Sequence, residues 1–285
     1  IGFDPWLHAP QDIETLQRSL DATDISLVPV NNAIDAIWED QPAPPRARAI
    51  AHPRALAGES HDSKRTRLAD GLRQAGHSAA ILTLPDSIAW LLNIRGTDIP
   101  RNPVVHAFAI LHADGQVDLF LDPVKLEDIA DHLGDDIRVH VPERFLPMLC
   151  NLDGLVVVDK SSVPMAVVQT LETAGVPVVL KTDPCVLPKA RKNATEVEGA
   201  IAAHVRDGAA MCEFLCWYDA NAQAELSEID LVTQLEQCRR DTGALRDISF
   251  ETISGTGPNG AVIHYRVTHD TNRMLQDGDL VVLDS

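Results

Sequence analysis

The residue pattern predicts an α/β protein built on a mixed sheet, and three observations predict it. Helix-like and strand-like segments alternate from residue 61 to 185. Two of the strand-like runs, Val104 to His112 and Gln116 to Leu121, are joined around Asp114-Gly115, a two-residue hairpin signal that makes at least one strand pair antiparallel. From Asn193 onward two long helical patterns precede further strand-like runs, the layout of a second, helix-first α/β domain with an antiparallel sheet.

Each element has a local reason. Ile1 to Phe3 reads as a strand, Pro10 to Asp21 as a helix with Ile13, Leu16 and Leu20 on one face, Ile25 to Val30 as a strand and Ala33 to Trp38 as a short amphipathic piece. Residues 1–45 therefore read as the C-terminal part of a first α/β domain. The Pro-, Ala- and Arg-rich residues 39–60 lack periodicity, and 46–60 read as a linker. Residues 61–185 form a second α/β domain. It opens with a helix closed by Gly76, then Ala79 to Leu84 as a strand and a compact Pro-initiated helix, Pro85 to Leu92. Residues 186–285 form a further, incomplete domain. Its entry helix starts at Asn193-Ala194-Thr195-Glu196 and repeats Val197, Ile201, Val205, Ala209, Cys212 and Cys216 at helical spacing, and a second helix starts at Ser227-Glu228-Ile229-Asp230.

Composition narrows the function classes. With 285 residues, 45% of them hydrophobic, the chain can bury a sizeable core in about two domains. A net charge of −18 argues against nucleic acid or anionic membrane as partner. No run of about 18 apolar residues is present to span a membrane. Five scattered cysteines without a CxxC favour a reducing, cytoplasmic setting. Cys212 and Cys216 share a helix face, as a metal pair or as small core residues. Residues 61–185 contain no dinucleotide or Walker-type glycine motif. The chain lacks an initiator Met and a signal segment, begins in one strand and stops in another, and is expected to be a fragment of a longer protein.

The chemistry concentrates in Ile248 to Ser285. Thr256-Gly257-Pro258-Asn259-Gly260 reads as a tight turn between strands. His264 follows Ala261-Val262-Ile263 and is expected on a strand, either as a core or edge histidine bonded to a carbonyl or as a functional one. Asp284 ends the apolar run Leu280 to Leu283 and is expected in a low-dielectric place, paired, hydrogen-bonded or metal-bound.

SFETISGTGPNGAVIHY, with twenty residues from its His264 to the Asp284 of LVVLDS, resembles the start of the catalytic domain of Xaa-Pro aminopeptidases (aminopeptidase P) of the pita-bread metallopeptidase superfamily. IGFDP resembles a strand of the first domain of the three-domain type. DSIAWLLNIRGTDIPRNPV resembles a second-domain signature, and PKARKNATEVEGAIAAHVRDGAAM the catalytic entry helix. The resemblance implies creatinase/aminopeptidase-P N-terminal type domains followed by the start of a pita-bread α+β catalytic domain. It implies removal of the N-terminal residue from peptides with proline in second position, by a hydroxide that two divalent ions activate. The ions are manganese, with zinc or cobalt as alternatives, held by two Asp, one His and two Glu; of these ligands it places only Asp284 in this chain. His264 matches a catalytic, substrate-facing histidine that is not a ligand, Phe250 a residue lining the pocket, and Arg95 and Trp90 the second-domain signature, for substrate contact or for packing. The resemblance also implies a homodimer, and the chain by itself is expected to be inactive. A creatinase- or prolidase-like hydrolase and a catalytically dead peptide- or partner-binding protein are the competing expectations.

Overall fold

The computed structural model describes residues 1–221 and 225–285. The chain divides into two compact units, Ile1–Thr195 and Glu196–Ser285.

In the first unit, β1 (Gly2–Phe3), α1 (Pro10–Leu20), β2 (Val28–Pro29) and α2 (Ala33–Ile37) come first, with β1 and β2 paired parallel. β3 (Ile50–Ala51), α3 (Arg54–Ala57), α4 (His61–Gln74), β4 (Ala79–Leu82), α5 (Pro85–Leu92), β5 (Ile94–Arg95), β6 (Phe108–His112), β7 (Val117–Phe120) and α6 (Ala130–Leu133) follow. β8 (Ile137–His140), α7 (Phe145–Leu149), β9 (Val156–Val158), α8 (Met165–Thr173), β10 (Val178–Leu180) and α9 (Val186–Ala190) complete the unit. Six strands form one mixed sheet in the order β10-β9-β4-β6-β7-β8; β4–β6 and β6–β7 are antiparallel, the other neighbours parallel.

Side-chain alternation along the strands splits the core across the sheet. Ala80 and Leu82 of β4 join Leu68, Leu72, Ile88 and Leu91 of α4 and α5, while Ala79 and Ile81 join Leu149, Val167 and Leu171 of α7 and α8. A strand covered on both faces needs an unbroken apolar run, which is what β4 and β9 carry. The expected linker 46–60 holds β3, paired antiparallel with β5, and α3, and buries Ala49 and Ala57. The residues it buries are small, and others of its contacts are polar ones such as Arg46 with Asp122, so it leaves no periodic apolar signal.

The sheet also buries a charge. Asp118 of β7, with its side chain only 3% exposed, accepts hydrogen bonds from His112 Nε2 (2.6 Å), His140 Nε2 (2.8 Å) and Arg138 Nε (2.8 Å). Burial opposes its ionisation, but the bonds from His140, His112 and Arg138 outweigh that and hold the carboxyl below its usual range.

The second unit contains α10 (Ala194–Ala220), from Glu196 onward, α11 (Glu228–Asp241), β11 (Ile253–Thr256) and β12 (Val281–Asp284). Phe214 of α10 packs with Leu231 and Leu235 of α11, and β11 pairs antiparallel with β12. The cysteines are all free: Cys150, Cys212 and Cys216 are exposed, Cys185 and Cys238 buried. No helix among the described residues is long and apolar enough to cross a membrane.

Candidate active site

α11 starts on a capping box: Asp230 N donates to Ser227 Oγ, and Ser227 N donates to Asp230 Oδ2 at 2.8 Å. Glu228, the first helical residue, is fully buried. Its Oε1 accepts from the backbone N–H of Thr256 (2.7 Å) and from Asn259 Nδ2 (3.0 Å). Its Oε2 accepts from the Tyr265 hydroxyl (2.7 Å) and from the backbone N–H of Arg273 (3.2 Å). A buried carboxylate is costly unless its lone pairs are filled; here neutral donors fill them, at a helix N-terminus whose dipole favours an anion. Burial, and then the Glu228 carboxylate, push the Tyr265 phenol up.

These bonds shape the stretch that carries the candidate residues. A side chain on Gly255 would lie 3.0 Å from the Gly260 nitrogen, so the turn folds back onto β11. Gly257 has φ +53°, and a Cβ there would lie 2.8 Å from Arg273 Nη1. Arg273 pairs with Asp279, which also accepts from Thr256 Oγ1 (3.2 Å) and Gln276 N (3.0 Å). The Arg273 hydrogen bond holds the Asp279 carboxyl below its usual range.

Two expectations about this stretch are corrected. Gly257–Ala261 is a 3₁₀ turn that leads to no second strand at His264; β11 takes β12 as its partner, with Ile253 opposite Asp284. His264 lies in a turn after it, exposed, with φ +56°. Asn259 and Tyr265 are both tied to Glu228, which draws the chain into a turn where the apolar run alone favoured extension. Asp284 is exposed on β12, not drawn into a low-dielectric place, because among the described residues β12 pairs only with β11 in a two-stranded sheet; Val281 and Val282 are exposed too, and Leu283 alone of the strand packs on the core of the unit.

Phe250 lies just before β11 and is exposed. Arg95 belongs to the first unit, on β5 opposite Ile50. Trp90 in that unit packs against buried Lys64, whose Nζ stands 4.3 Å from the ring centroid, donates to the Trp90 carbonyl (2.9 Å) and to Asn93 Oδ1 (2.8 Å), and so closes α5. Sequence reasoning passed over Glu228, because a Glu in a capping-box context reads as an exposed first-turn acid. The available signal was the pair of side-chain donors, Asn259 and Tyr265, close together in sequence at the turn and just after it.

Asp284 fits a divalent ion in kind, as a hard, accessible oxygen ligand on a strand, but not in number. Among the described residues no group of three or more His, Cys, Asp or Glu gathers to hold a metal.

Residues 40–196 match the model of the Creatinase/Prolidase N-terminal domain, and residues 198–285 that of Metallopeptidase family M24. The chain belongs to the creatinase/prolidase N-terminal domain family, with a metallopeptidase M24 segment after that domain. It is 34% identical over 303 residues to a probable Xaa-Pro aminopeptidase P of Aspergillus clavatus, covering 100% of this chain and 45% of that protein. It is 35% identical over 304 residues to the one of Coccidioides posadasii, covering 100% and 46%. The chain spans about half the length of the curated relatives it matches. Among solved structures, the X-prolyl aminopeptidase from Caenorhabditis elegans, described as a cytosolic enzyme with a di-nuclear active site, superposes with a TM-score of 0.90 at 27% identity, over 100% of this chain and 48% of that one. A prolidase from Thermococcus sibiricus shares the fold, with a TM-score of 0.54 at 19% identity, over 79% of this chain and 61% of that one.

Proposed function

We propose that residues 1–285 belong to a metal-dependent Xaa-Pro aminopeptidase, which removes the first residue from peptides with proline in second position. The likeness of the whole chain to the C. elegans X-prolyl aminopeptidase carries this reading. Residues 1–45 are then the end of a first domain, 46–60 a connection, 61–185 a second domain and 186–285 the start of the catalytic domain. The protein would act in the cytoplasm as a homodimer.

Each candidate residue has a task suited to its type. Asp284 would hold one of two divalent ions, for which manganese would suit an oxygen-rich ligand set. The other ligands would come from residues beyond those of this chain. When bound, the ions supply Lewis-acid activation of water. His264, exposed at the turn, donates a hydrogen bond to the oxygen that gains charge as the carbonyl before proline is attacked. Phe250 forms an apolar wall for the substrate. Arg95 belongs to the other unit, where the second-domain signature assigns it substrate contact or packing. The bond cleaved is a tertiary amide with fixed φ, so the site receives a kinked peptide.

The test is hydrolysis of a peptide with proline second by the full-length protein. The expected result is release of the first residue, loss of activity with chelator, and recovery best with Mn²⁺. Equal cleavage of a matched peptide with alanine in place of proline, or no metal-dependent cleavage at all, overturns the reading.

A further inference from the structure

Glu228 takes no direct part in the chemistry assigned above, yet it is the most heavily bonded acid of its unit. Four residues donate to it: Thr256, Asn259, Tyr265 and Arg273. Its backbone N–H also donates to the Arg273 carbonyl (3.1 Å), so strap and helix N-terminus are joined twice. His264 lies between two of the four anchors, five residues after Asn259 and one before Tyr265. Tyr265 is fixed further by its hydroxyl, 3.1 Å from the Thr271 carbonyl, and by its backbone N–H to the Val262 carbonyl at 3.2 Å.

Between these anchors the chain is open. Ile263 and His264 are exposed, and His264 carries a left-handed backbone that a residue with a Cβ adopts only at a cost. Nothing about the His264 side chain pays that cost, since its ring makes no hydrogen bond among the described residues; the flanking anchors hold it there.

We propose that Glu228 is a positioning residue: through Asn259 and Tyr265 it holds residues 256–265 so that the His264 imidazole is presented in one orientation to the peptide substrate. The proposal rests on the reading that His264 faces substrate. Glu228 suits the role because every group that bonds to it arrives as a donor. A carboxylate accepts four donors at once, and an amide of the same shape does not.

The test uses the full-length protein with ¹³C-labelled histidine. Glu228→Gln keeps volume but turns one acceptor into a donor that faces other donors. The expected result is a fall in kcat of about tenfold or more with KM changed by less than about threefold, as a catalytic group misplaced by a fraction of an ångström produces. The His264 ring signal, assigned by its loss in His264→Gln, shifts or broadens in parallel. Glu228→Asp, with the carboxylate restored but set back, recovers part of both. In His264→Gln the Glu228→Gln change then adds little further loss in kcat. If Glu228→Gln does not fold, Tyr265→Phe removes one anchor alone, and a smaller change in the same two readouts is expected.

A parental kcat, or an unmoved His264 signal in a folded variant, overturns the proposal. An equal loss in the His264→Gln background overturns it as well. If the parent protein cleaves no Xaa-Pro peptide, the functional reading fails, and the ring signal still decides whether Glu228 orients His264.

Discussion

In the first unit β4 and β7 are buried along their whole length, each hydrogen-bonded to a strand on either side and covered by side chains on both faces. In the second unit β12 has one partner, and its approach is open: Leu280 is 85% exposed and Val282 47%. The first arrangement is held by apolar burial, between strands as far as 77 residues apart in sequence at Ala79 and Val156. In the second, the shape of the candidate site comes from polar contacts on one buried carboxylate, whose partners lie 28 to 45 residues away in sequence. A packed sheet tolerates loss of a hydrogen bond better than loss of volume, and a strap of this kind the reverse.

That contrast can be broken from both sides. The largest effect is expected at Phe120, buried between Phe145 and His140 with ring centroids 5.1 and 5.2 Å away. Phe120→Ala leaves a cavity and should cost about 4 kcal/mol. In chemical denaturation followed by hydrogen exchange, peptides of the first unit should lose protection while those of α11 keep theirs. Loss shared by both units would show that the two do not hold themselves separately.

Next comes Asp118→Asn, which removes the charge beneath His112, His140 and Arg138 and should cost about 2–3 kcal/mol at neutral pH. Because the folded Asp118 carboxyl is held below its unfolded value, its contribution is present above the unfolded pKa and lost as pH falls through the folded one. Acid titration of stability should therefore show a step in the parent that is missing in the variant. Identical acid profiles would mean that the three donors do not stabilise the carboxylate.

In the second unit Gly257→Ala adds a side chain at φ +53°, against the Arg273 and Asp279 side chains. It should cost about 1–2 kcal/mol and raise exchange in residues 253–273 alone. The smallest effect is expected at Arg266, which pairs with Glu251 on the surface. Arg266→Ala should change stability by about 0.5 kcal/mol or less, a useful zero for the other three.

The same contrast explains what could be read from the residues beforehand. The helices at 61–74 and 85–92, the hairpin at Asp114-Gly115 and the long helix from 194 all follow from local periodicity, capping and turn chemistry. The mixed sheet follows from their alternation. The candidate residues were legible by resemblance: His264, Phe250 and Asp284 lie in one continuous stretch and Arg95 in another. Their setting was not, because Ala261-Val262-Ile263 has strand-forming residues whose extension is overruled by Asn259 and Tyr265 bonding to a distant helix start. The register of β11 against β12, which joins residues 31 apart at Ile253 and Asp284, has no local signal either.

The distribution of the five thiols has a practical consequence. Burial, and then the Asp183 charge, push the Cys185 thiol well up, so it is both shielded and slow to ionise, and Cys238 is enclosed in the core of the second unit. Cys150, Cys212 and Cys216 stand in water. A thiol reagent added in a brief pulse would mark those three at once, then Cys185 when the first unit opens and Cys238 when the second does. Mass spectrometry of the tags would read each unit's lifetime from a stopwatch already written into the chain.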